Sequence, residues 1–331
     1  MKYKLILLFA DVLLLSCCGQ KNAAKEQVKS VEQEVKSYVS VPVFNADSAY
    51  AFVAQQVEFG YRIPNTEAHK KCAQFLANEL ESYGAKIFVQ DAIVTAYNKE
   101  RLNIKNITGS FNPDNKRRIL LFAHWDSRPY ADHDDNDSNH HQPIDGADDG
   151  ASGVGVLLEV ARQIASNQIN TGIDIVFFDA EDYGTPEFIK DRSPDTWCLG
   201  SQLWAKNTHI SDYKANFGIL LDMVGAKGAT FYKETTSVRY ANQYVELVWN
   251  TAKNLGYGKY FINSQGGYII DDHKYVMEGR KIPCIDIINY DPNNATGFGV
   301  HWHTTNDTMD NIDKETLKAV GQTILEVIYR Y

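Results

Sequence analysis

The sequence predicts an α/β protein of three layers, in which helices cover both faces of a central, mostly parallel, mixed sheet. Three observations predict this class. Four strand-length segments are almost entirely apolar, which is typical of strands buried on both faces of a sheet. Segments with one apolar stripe at helical spacing alternate with them, as in parallel sheets covered by helices. The chain has 331 residues, 44% of them hydrophobic, so it can bury a large core.

The predicted elements follow one another in a fixed order. Helices are predicted from apolar stripes, and strands from apolar runs without alternation. In the first helix Cys72, Leu76 and Leu80 are spaced four residues apart, and Gly84 is typical of a helix end. The order is a helix, a strand, a helix, three strands and a closing helix, over residues 67–83, 118–123, 152–167, 173–178, 217–223, 282–288 and 314–331.

The N-terminus has the layout of an export signal. A basic start is followed by the apolar run from Leu5 to Leu15, which is too short to span a bilayer. Leu14-Leu15-Ser16-Cys17 resembles a bacterial lipobox, which implies cleavage before Cys17 and acylation of its sulfur. We therefore expect a lipoprotein signal peptide at 1–16, a flexible tether at 17–44 and one catalytic domain at 45–331. The expected location is periplasmic, on a membrane anchor, and the alternative is an ordinary signal peptide that is cut elsewhere.

Charge and cysteine usage limit the function further. The net charge of −9 argues against a nucleic acid partner and favours neutral or cationic small substrates. Within the predicted domain only Cys72, Cys198 and Cys284 occur, at wide spacing, so no disulfide framework is expected. Packing is the predicted role of these three residues. The string from His133 to His141 is interpreted as a solvated loop.

Acidic and imidazole side chains follow the predicted strands. In a sheet of this class such residues collect in a crevice outside the carboxyl ends of the strands. Imidazole nitrogen and carboxylate oxygen without thiolate are the ligands of a catalytic zinc site. Taken singly, each aspartate could instead be a cap or turn former and His124 a core histidine, but their common placement favours a metal pocket. The residues concerned are His124, Asp126, Asp148, Asp149, Asp179, Glu181, Asp182, Asp222, His301 and His303.

Seven motifs together resemble one enzyme family. The chain is similar to the zinc-dependent glutaminyl-peptide cyclotransferases, which share their fold with the M28-type zinc aminopeptidases. The resemblance implies a zinc aminopeptidase-like fold, one zinc ion, and peptide or protein substrates with an N-terminal glutamine, which is converted to pyroglutamate with release of ammonia. The motifs, in family order, are LLFAHWDSR, DGADDGASGVGVLLEVAR, IVFFDAED, GSQLWA, GILLDMVGA, GGYIIDDHKYVMEGRKIPCIDII and HWHTTNDTMDNID.

The resemblance also implies roles for individual residues. Zinc is expected on Asp149, Asp182 and His303, and Glu181 is expected to be the general acid/base. Asp222 and Asp271 are expected as a supporting hydrogen-bonded carboxylate pair, and Trp302 as a substrate-lining residue. The animal enzymes have Glu-Glu where this chain has Glu181-Asp182. For the family's second pocket tryptophan, Tyr183 and Trp197 are both candidates.

Two other functions share these residues. A di-zinc aminopeptidase of this fold would place His124 and Asp222 on one metal, Asp182 and His303 on the other, with Asp149 bridging. Aminopeptidases of this fold usually have serine where this chain has Asp271, and that difference favours the cyclotransferase. A zinc-binding lipoprotein without turnover is the third hypothesis, which the presence of Glu181 disfavours.

Overall fold

A six-stranded mixed sheet lies at the centre of the fold. The structure is a computed structural model, and it describes residues 40–190 and 195–331. The predicted signal peptide and the tether up to residue 39 lie outside the described residues. The strands are β1 (Lys86–Thr95), β2 (Arg101–Phe111), β3 (Arg118–His124), β4 (Gly172–Phe178), β5 (Phe217–Asp222), β6 (Phe231–Lys233), β7 (Phe261–Gln265) and β8 (Cys284–Ile288).

The order of strands in the sheet is β1-β2-β4-β3-β5-β8. The strands β4, β3, β5 and β8 run parallel to one another, whereas β1 and β2 pair antiparallel at one edge. The predicted mostly parallel, mixed sheet is therefore confirmed. β6 and β7 form a separate two-stranded sheet.

Helices cover both faces of the central sheet. They are α1 (Ala46–Glu58), α2 (Glu67–Ser82), α3 (Ala151–Ser166), α4 (Leu199–Lys206), α5 (Thr235–Asn254), α6 (Asp272–Arg280) and α7 (Lys314–Arg330). On one face α1, α2, α3, α5 and α7 enclose the larger apolar core, and on the other α4 and α6 enclose a smaller one. β3 shows why its residues are all apolar, since Ile119 and Leu121 point into the larger core and Leu120 and Phe122 into the smaller.

All seven elements named from the sequence are present, with ends that differ by two residues at most. β1 and β2 were not predicted, because β1 is a half-exposed edge strand without an apolar run. The domain was expected to start at residue 45, and Asn45 caps α1 by accepting the backbone N–H of Ser48. Within the described ranges, no helix combines the length and apolar character needed to cross a membrane.

Candidate metal and catalytic site

Four chain segments bring acidic and imidazole side chains to one edge of the sheet. β3 ends at His124, β5 ends at Asp222, and Glu181 and Asp182 follow β4. Asp149 lies two residues before α3. Because β3, β4 and β5 are parallel, their carboxyl ends lie side by side. The residues that the sequence places after the strands therefore meet in one crevice.

Asp149, Asp182 and His303 lie together at this edge. One ligating atom of each lies within 4.8 Å of the other two, and all three residues are buried. Nε2 of His303 is 3.2 Å from Oδ1 of Asp182 and 3.6 Å from Oδ2 of Asp149. Ligands held about 2.1 Å from a tetrahedral zinc ion lie roughly 3.4 Å from one another. The spacing of the three side chains is therefore that of a zinc ligand set.

The electrostatics of these three residues also fit a cation. Oδ2 of Asp182 is buried and has no hydrogen-bond partner. Burial raises the pKa of Asp182 to about 7, while burial and the nearby Arg128 lower the pKa of His303 to about 4. A buried carboxylate oxygen without a partner is costly, and a bound cation removes that cost. A neutral imidazole is the form that ligates a metal.

A second group shares Asp149. Nε2 of His124 lies 3.0 Å from Oδ1 of Asp149 and 3.2 Å from Oδ1 of Asp222. Burial opposes a charge on His124, but hydrogen bonds to Asp126, Asp149 and Asp222 raise its pKa well above the usual value. These contacts therefore favour the protonated form of His124 when no metal is bound. The same residues have the spacing of a second metal group.

Asp126 holds the backbone of the loop that carries two functional side chains. Its Oδ1 accepts the backbone N–H of Glu181 at 3.1 Å, and its Oδ2 accepts that of Asp182 at 3.2 Å. Ala180, just before them, has a left-handed backbone with φ of 51°. The turn directs the neighbouring side chains differently, since Asp182 joins the metal group and Glu181 faces a different set of residues.

Asp307 holds the backbone of the loop before α3 in the way that Asp126 holds the loop after β4. Its two carboxylate oxygens accept the backbone N–H groups of Asp148 at 2.9 Å and Asp149 at 3.0 Å. The side chain of Asp148 accepts the backbone N–H of Gly225 at 2.8 Å and contacts Nε2 of His301 at 2.9 Å. Asp148 and His301 therefore fasten the loop to its surroundings, and neither belongs to the predicted metal ligands.

His303 and Asp182 are supported by one ion pair. Arg128 donates to both oxygens of Asp132 at 2.7 and 2.6 Å and to the backbone carbonyl of Asp182 at 2.9 Å. Oδ1 of Asp132 lies 3.4 Å from Nδ1 of His303. Although burial opposes it, these contacts hold the pKa of Asp132 well below its usual range. Such carboxylate partners orient ligating imidazoles.

Glu181 lies beside the metal group, in contact with two other residues. One of its carboxylate oxygens lies within 4.8 Å of Sγ of Cys198 and of an oxygen of Asp271, and it is only 9% exposed. Burial raises the pKa of Glu181 well above its usual value, and the charge of Asp271 adds to this. A carboxyl group with a raised pKa is suited to accept and return a proton.

Asp222 and Asp271, the predicted supporting carboxylate pair, both line the cavity of the site. Asp222 turns toward the imidazole of His124, and Oδ2 of Asp271 has no hydrogen-bond partner. Oδ1 of Asp271 caps α6 by accepting the backbone N–H of Asp272 at 2.5 Å. Burial and the charge of Asp222 raise the pKa of Asp271 to about 8. The charge of Asp222 therefore acts on Asp271, while Asp222 also lies 3.2 Å from Nε2 of His124.

A cavity of about 530 Å³ opens over these residues. The indole of Trp302, a predicted substrate contact, lines it and stacks on His303 with ring centroids 3.8 Å apart. Trp197 also lines the cavity, with its ring parallel to that of His303 at 6.2 Å. Tyr183 instead donates to Glu100 at 2.9 Å inside a separate apolar cluster. Of the two candidates for the second aromatic wall, the structure places Trp197 there.

Gly184 is required beneath this wall. A Cβ on Gly184 would lie 2.0 Å from the indole of Trp197, so any side chain would displace the ring. The guanidinium of Arg128 lies 4.7 Å from the centroid of the same ring. Gly184 and Arg128 therefore both pack against the indole of Trp197.

Several residues of the site were not singled out from the sequence, including the following three. His133, assigned there to a solvated loop, packs against Trp302 with ring centroids 4.3 Å apart and lines the cavity. Arg128 was visible as the last residue of the LLFAHWDSR motif. Cys198 was interpreted as a packing residue and carried no sequence signal of its contact with Glu181.

The family model for peptidase family M28 matches residues 106–328, which include every predicted metal ligand. The chain belongs to peptidase family M28. The matched range begins within β2 and ends within α7, so it covers the parallel strands and their connections.

This family member resembles solved structures closely and curated proteins more distantly. Tannerella forsythia glutaminyl cyclase has 68% sequence identity and a TM-score of 0.86, over 88% of this chain and 100% of that one. A Zn-dependent exopeptidase from Parabacteroides distasonis ATCC 8503 has 64% identity and a TM-score of 0.88, with the same coverage. Glutaminyl-peptide cyclotransferase of Bos taurus is 24% identical over 258 residues, 69% of this chain and 66% of that protein. The alignment therefore spans about two thirds of the bovine relative.

Proposed function

We propose that this M28 family member is a glutaminyl-peptide cyclotransferase. It converts the N-terminal glutamine of peptides or proteins to pyroglutamate and releases ammonia. The observation that carries the proposal is Asp271, a buried carboxyl group that lines the cavity beside Glu181 and leaves Oδ2 without a partner. The identity of 68% with a glutaminyl cyclase over that enzyme's whole length supports it.

The reaction requires orientation and the movement of one proton. The α-amine attacks the carbonyl carbon of its own side-chain amide, so that a ring carbon–nitrogen bond forms and the bond to the amide nitrogen breaks. Because both groups belong to one residue, holding the right conformer supplies much of the rate. Trp197 and Trp302 line the cavity, where they would exclude water and hold the glutamine side chain folded, with its amide carbonyl carbon close to the α-amine.

Glu181 moves the proton. Its carboxylate takes a proton from the attacking amine and returns it to the departing nitrogen, which leaves as ammonia. Asp271, whose pKa is raised to about 8, can stay protonated at neutral pH and donate a hydrogen bond to an oxygen or nitrogen of the substrate amide. Asp222 contributes by keeping that proton on Asp271 through its charge.

Asp149, Asp182 and His303 would hold zinc at this site. Bound there, zinc would supply Lewis acid polarisation of the amide carbonyl and stabilise the negative charge that develops on its oxygen. One ion suffices for this reaction, since no water molecule has to be activated.

The test is to offer two peptides to the purified protein, one with N-terminal glutamine and one with an ordinary neutral N-terminal residue. We expect ammonia and a pyroglutamyl product from the first, and no free amino acid from either. Release of free amino acids from both would overturn the proposal.

An M28 aminopeptidase is the alternative that a specific observation favours. His124, Asp149 and Asp222 form a second group with metal-ligand spacing, and at least two similar structures are named as exopeptidases. The two functions differ in metal content. Two tightly bound zinc ions per chain would favour the aminopeptidase, and one ion per chain favours the cyclotransferase.

We also propose that the protein is exported and anchored as a periplasmic lipoprotein through Cys17. The lipobox-like stretch from Leu14 to Cys17 supports this. Labelled palmitate should enter the wild-type protein in cells and be absent from Cys17→Ala. Equal labelling of both chains would disprove the anchor.

A further inference from the structure

Cys198 touches Glu181 in two ways. Its thiol donates to Oε1 of Glu181, with Sγ 2.9 Å from that oxygen, and its backbone N–H donates to the carbonyl oxygen of Glu181, also at 2.9 Å. Cys198 is fully buried. Cys198 therefore donates hydrogen bonds to both the main chain and the side chain of Glu181, the proposed proton carrier.

The backbone around Cys198 is shaped for this contact. Cys198 has a left-handed conformation with φ of 55° and ψ of 37°, immediately before α4. Such a conformation costs free energy for any residue other than glycine, so the surroundings must stabilise it. The next residue, Leu199, donates its N–H to the carbonyl oxygen of Ala180 at 3.0 Å. A Cβ on Gly200 would lie 2.2 Å from the carbonyl oxygen of Asp179, so the two segments lie in direct contact.

The thiol is a donor in this environment. Burial, and then the charge of Glu181, raise the pKa of Cys198 well above its usual value, so its sulfur keeps its proton. A carboxylate is a strong acceptor, and hydrogen bonds to charged groups are stronger than those between neutral ones. The other buried thiols differ, because Cys72 and Cys284 lie in the two apolar cores.

We propose that Cys198 is a positioning residue for the reaction, whose thiol holds Oε1 of Glu181 so that Oε2 faces the substrate amine. The inference rests on the proposed function of Glu181. It goes beyond that function in naming the group that orients the carboxylate. Trp197, the preceding residue, lines the cavity, so the same segment places one wall of the substrate site and the proton carrier.

Two substitutions separate orientation from packing. Cys198→Ala removes the donor at little change in volume, and Cys198→Ser restores an O–H donor at the same position. We expect Cys198→Ala to lower kcat on a glutaminyl peptide by at least about tenfold while KM and zinc content stay unchanged, because a hydrogen bond to a charged group is lost. Cys198→Ser should recover much of kcat. Cys284→Ala is the matched control for the loss of a buried thiol and should retain the parent's kcat.

A spectroscopic measurement tests the contact without activity. The S–H stretching band of Cys198 is isolated as the difference between Raman spectra of the parent and Cys198→Ala. We expect it at a lower frequency in the parent than in Glu181→Leu, which removes the acceptor. Should Cys198→Ala fail to fold, the same band is compared between the parent and Glu181→Leu, with Cys198→Ser used to identify it.

The outcomes are distinct. A parent enzyme that releases no ammonia from the glutaminyl peptide overturns the proposed function, whatever the Raman band does. A parent that is active, with Cys198→Ala equal to it in kcat or with the band unmoved in Glu181→Leu, overturns the positioning role alone.

Discussion

Oδ2 of Asp307 accepts the backbone N–H of Asp149 at 3.0 Å, while its Oδ1 accepts that of Asp148. Asp307 thus fixes the main chain of a proposed zinc ligand without touching the metal position itself. Partners of this kind are typically worth about 10- to 100-fold in metal affinity.

We expect Asp307→Asn to weaken zinc binding by about tenfold or more. The amide keeps one acceptor oxygen, but its NH₂ group would face a backbone N–H that needs an acceptor. Competition with a zinc-chelating dye measures the affinity. Asp310→Asn, at a nearby exposed position, is the control and should bind as the parent does. Equal zinc affinity in Asp307→Asn and the parent would contradict the role of Asp307 in positioning the ligand loop.

Glu181→Gln should keep its fold and metal but lose nearly all activity. The amide has a similar shape but cannot take a proton from the amine, and general acid–base catalysis contributes about 10²- to 10⁴-fold. Ammonia release and zinc content are measured on the same sample. Glu67→Gln, on an exposed face of α2, is the matched control. Turnover of Glu181→Gln at the parent's rate would remove Glu181 from the mechanism.

His303→Ala should release zinc. The remaining carboxylates Asp149 and Asp182 leave a site with two ligands where catalytic zinc sites use three. Metal analysis after dialysis checks this, and His209→Ala, at a half-buried position after α4, serves as control. Full occupancy in His303→Ala would reassign the ligand.

Trp197→Leu should raise KM for a glutaminyl peptide by about tenfold, because burying a large apolar side chain contributes roughly 1.5–3 kcal/mol. Tyr183→Phe, which only removes the hydrogen bond to Glu100, should leave KM unchanged. Steady-state kinetics of both variants decide which aromatic residue contacts the substrate. A larger rise for Tyr183→Phe would reverse the assignment.

The lowered pKa of Glu234 leads us to expect that the free energy of unfolding depends on pH. It caps α5 by accepting the N–H groups of Thr236 and Ser237, and it lies 3.2 Å from His273. Although burial opposes it, these contacts lower its pKa from 4.5 to about 2. Its stabilisation is complete above the unfolded pKa and is lost as pH falls toward 2, with about 2 kcal/mol gone between pH 7 and pH 3.

The free energy of unfolding of the parent and Glu234→Gln, both with chelator present, measures this contribution. The difference between the two chains should shrink by about that amount at the lower pH. A difference that stays constant would mean that Glu234 is not held ionised by the fold.

The sequence was sufficient for the four parallel strands of the sheet and for bringing the proposed metal ligands to one edge of it. Apolar runs such as 118–123 predict strands buried on both faces, and the residues after them must then meet at one edge. Asp149, Asp182 and His303 follow from that rule together with the resemblance. What the sequence could not show depends on single backbone angles and on neighbours distant in the chain.

Cys198 is the clearest example of that limit. Its contact with Glu181 requires a left-handed backbone at a residue that seldom adopts one, and no periodic pattern reports this. The choice between Tyr183 and Trp197 depends on Gly184 leaving space for an indole. The turn of Asp222 toward His124 depends on a charge balance among several buried groups, which spacing along the chain does not contain.

Asp149, Asp182 and His303 come from three segments that are far apart in the chain, before α3, after β4 and ahead of α7. A cation bound by all three would act as a cross-link between them, and its binding free energy would be added to that of folding. An environment that removes zinc would therefore lower the free energy of unfolding of the whole domain as well as abolish its activity.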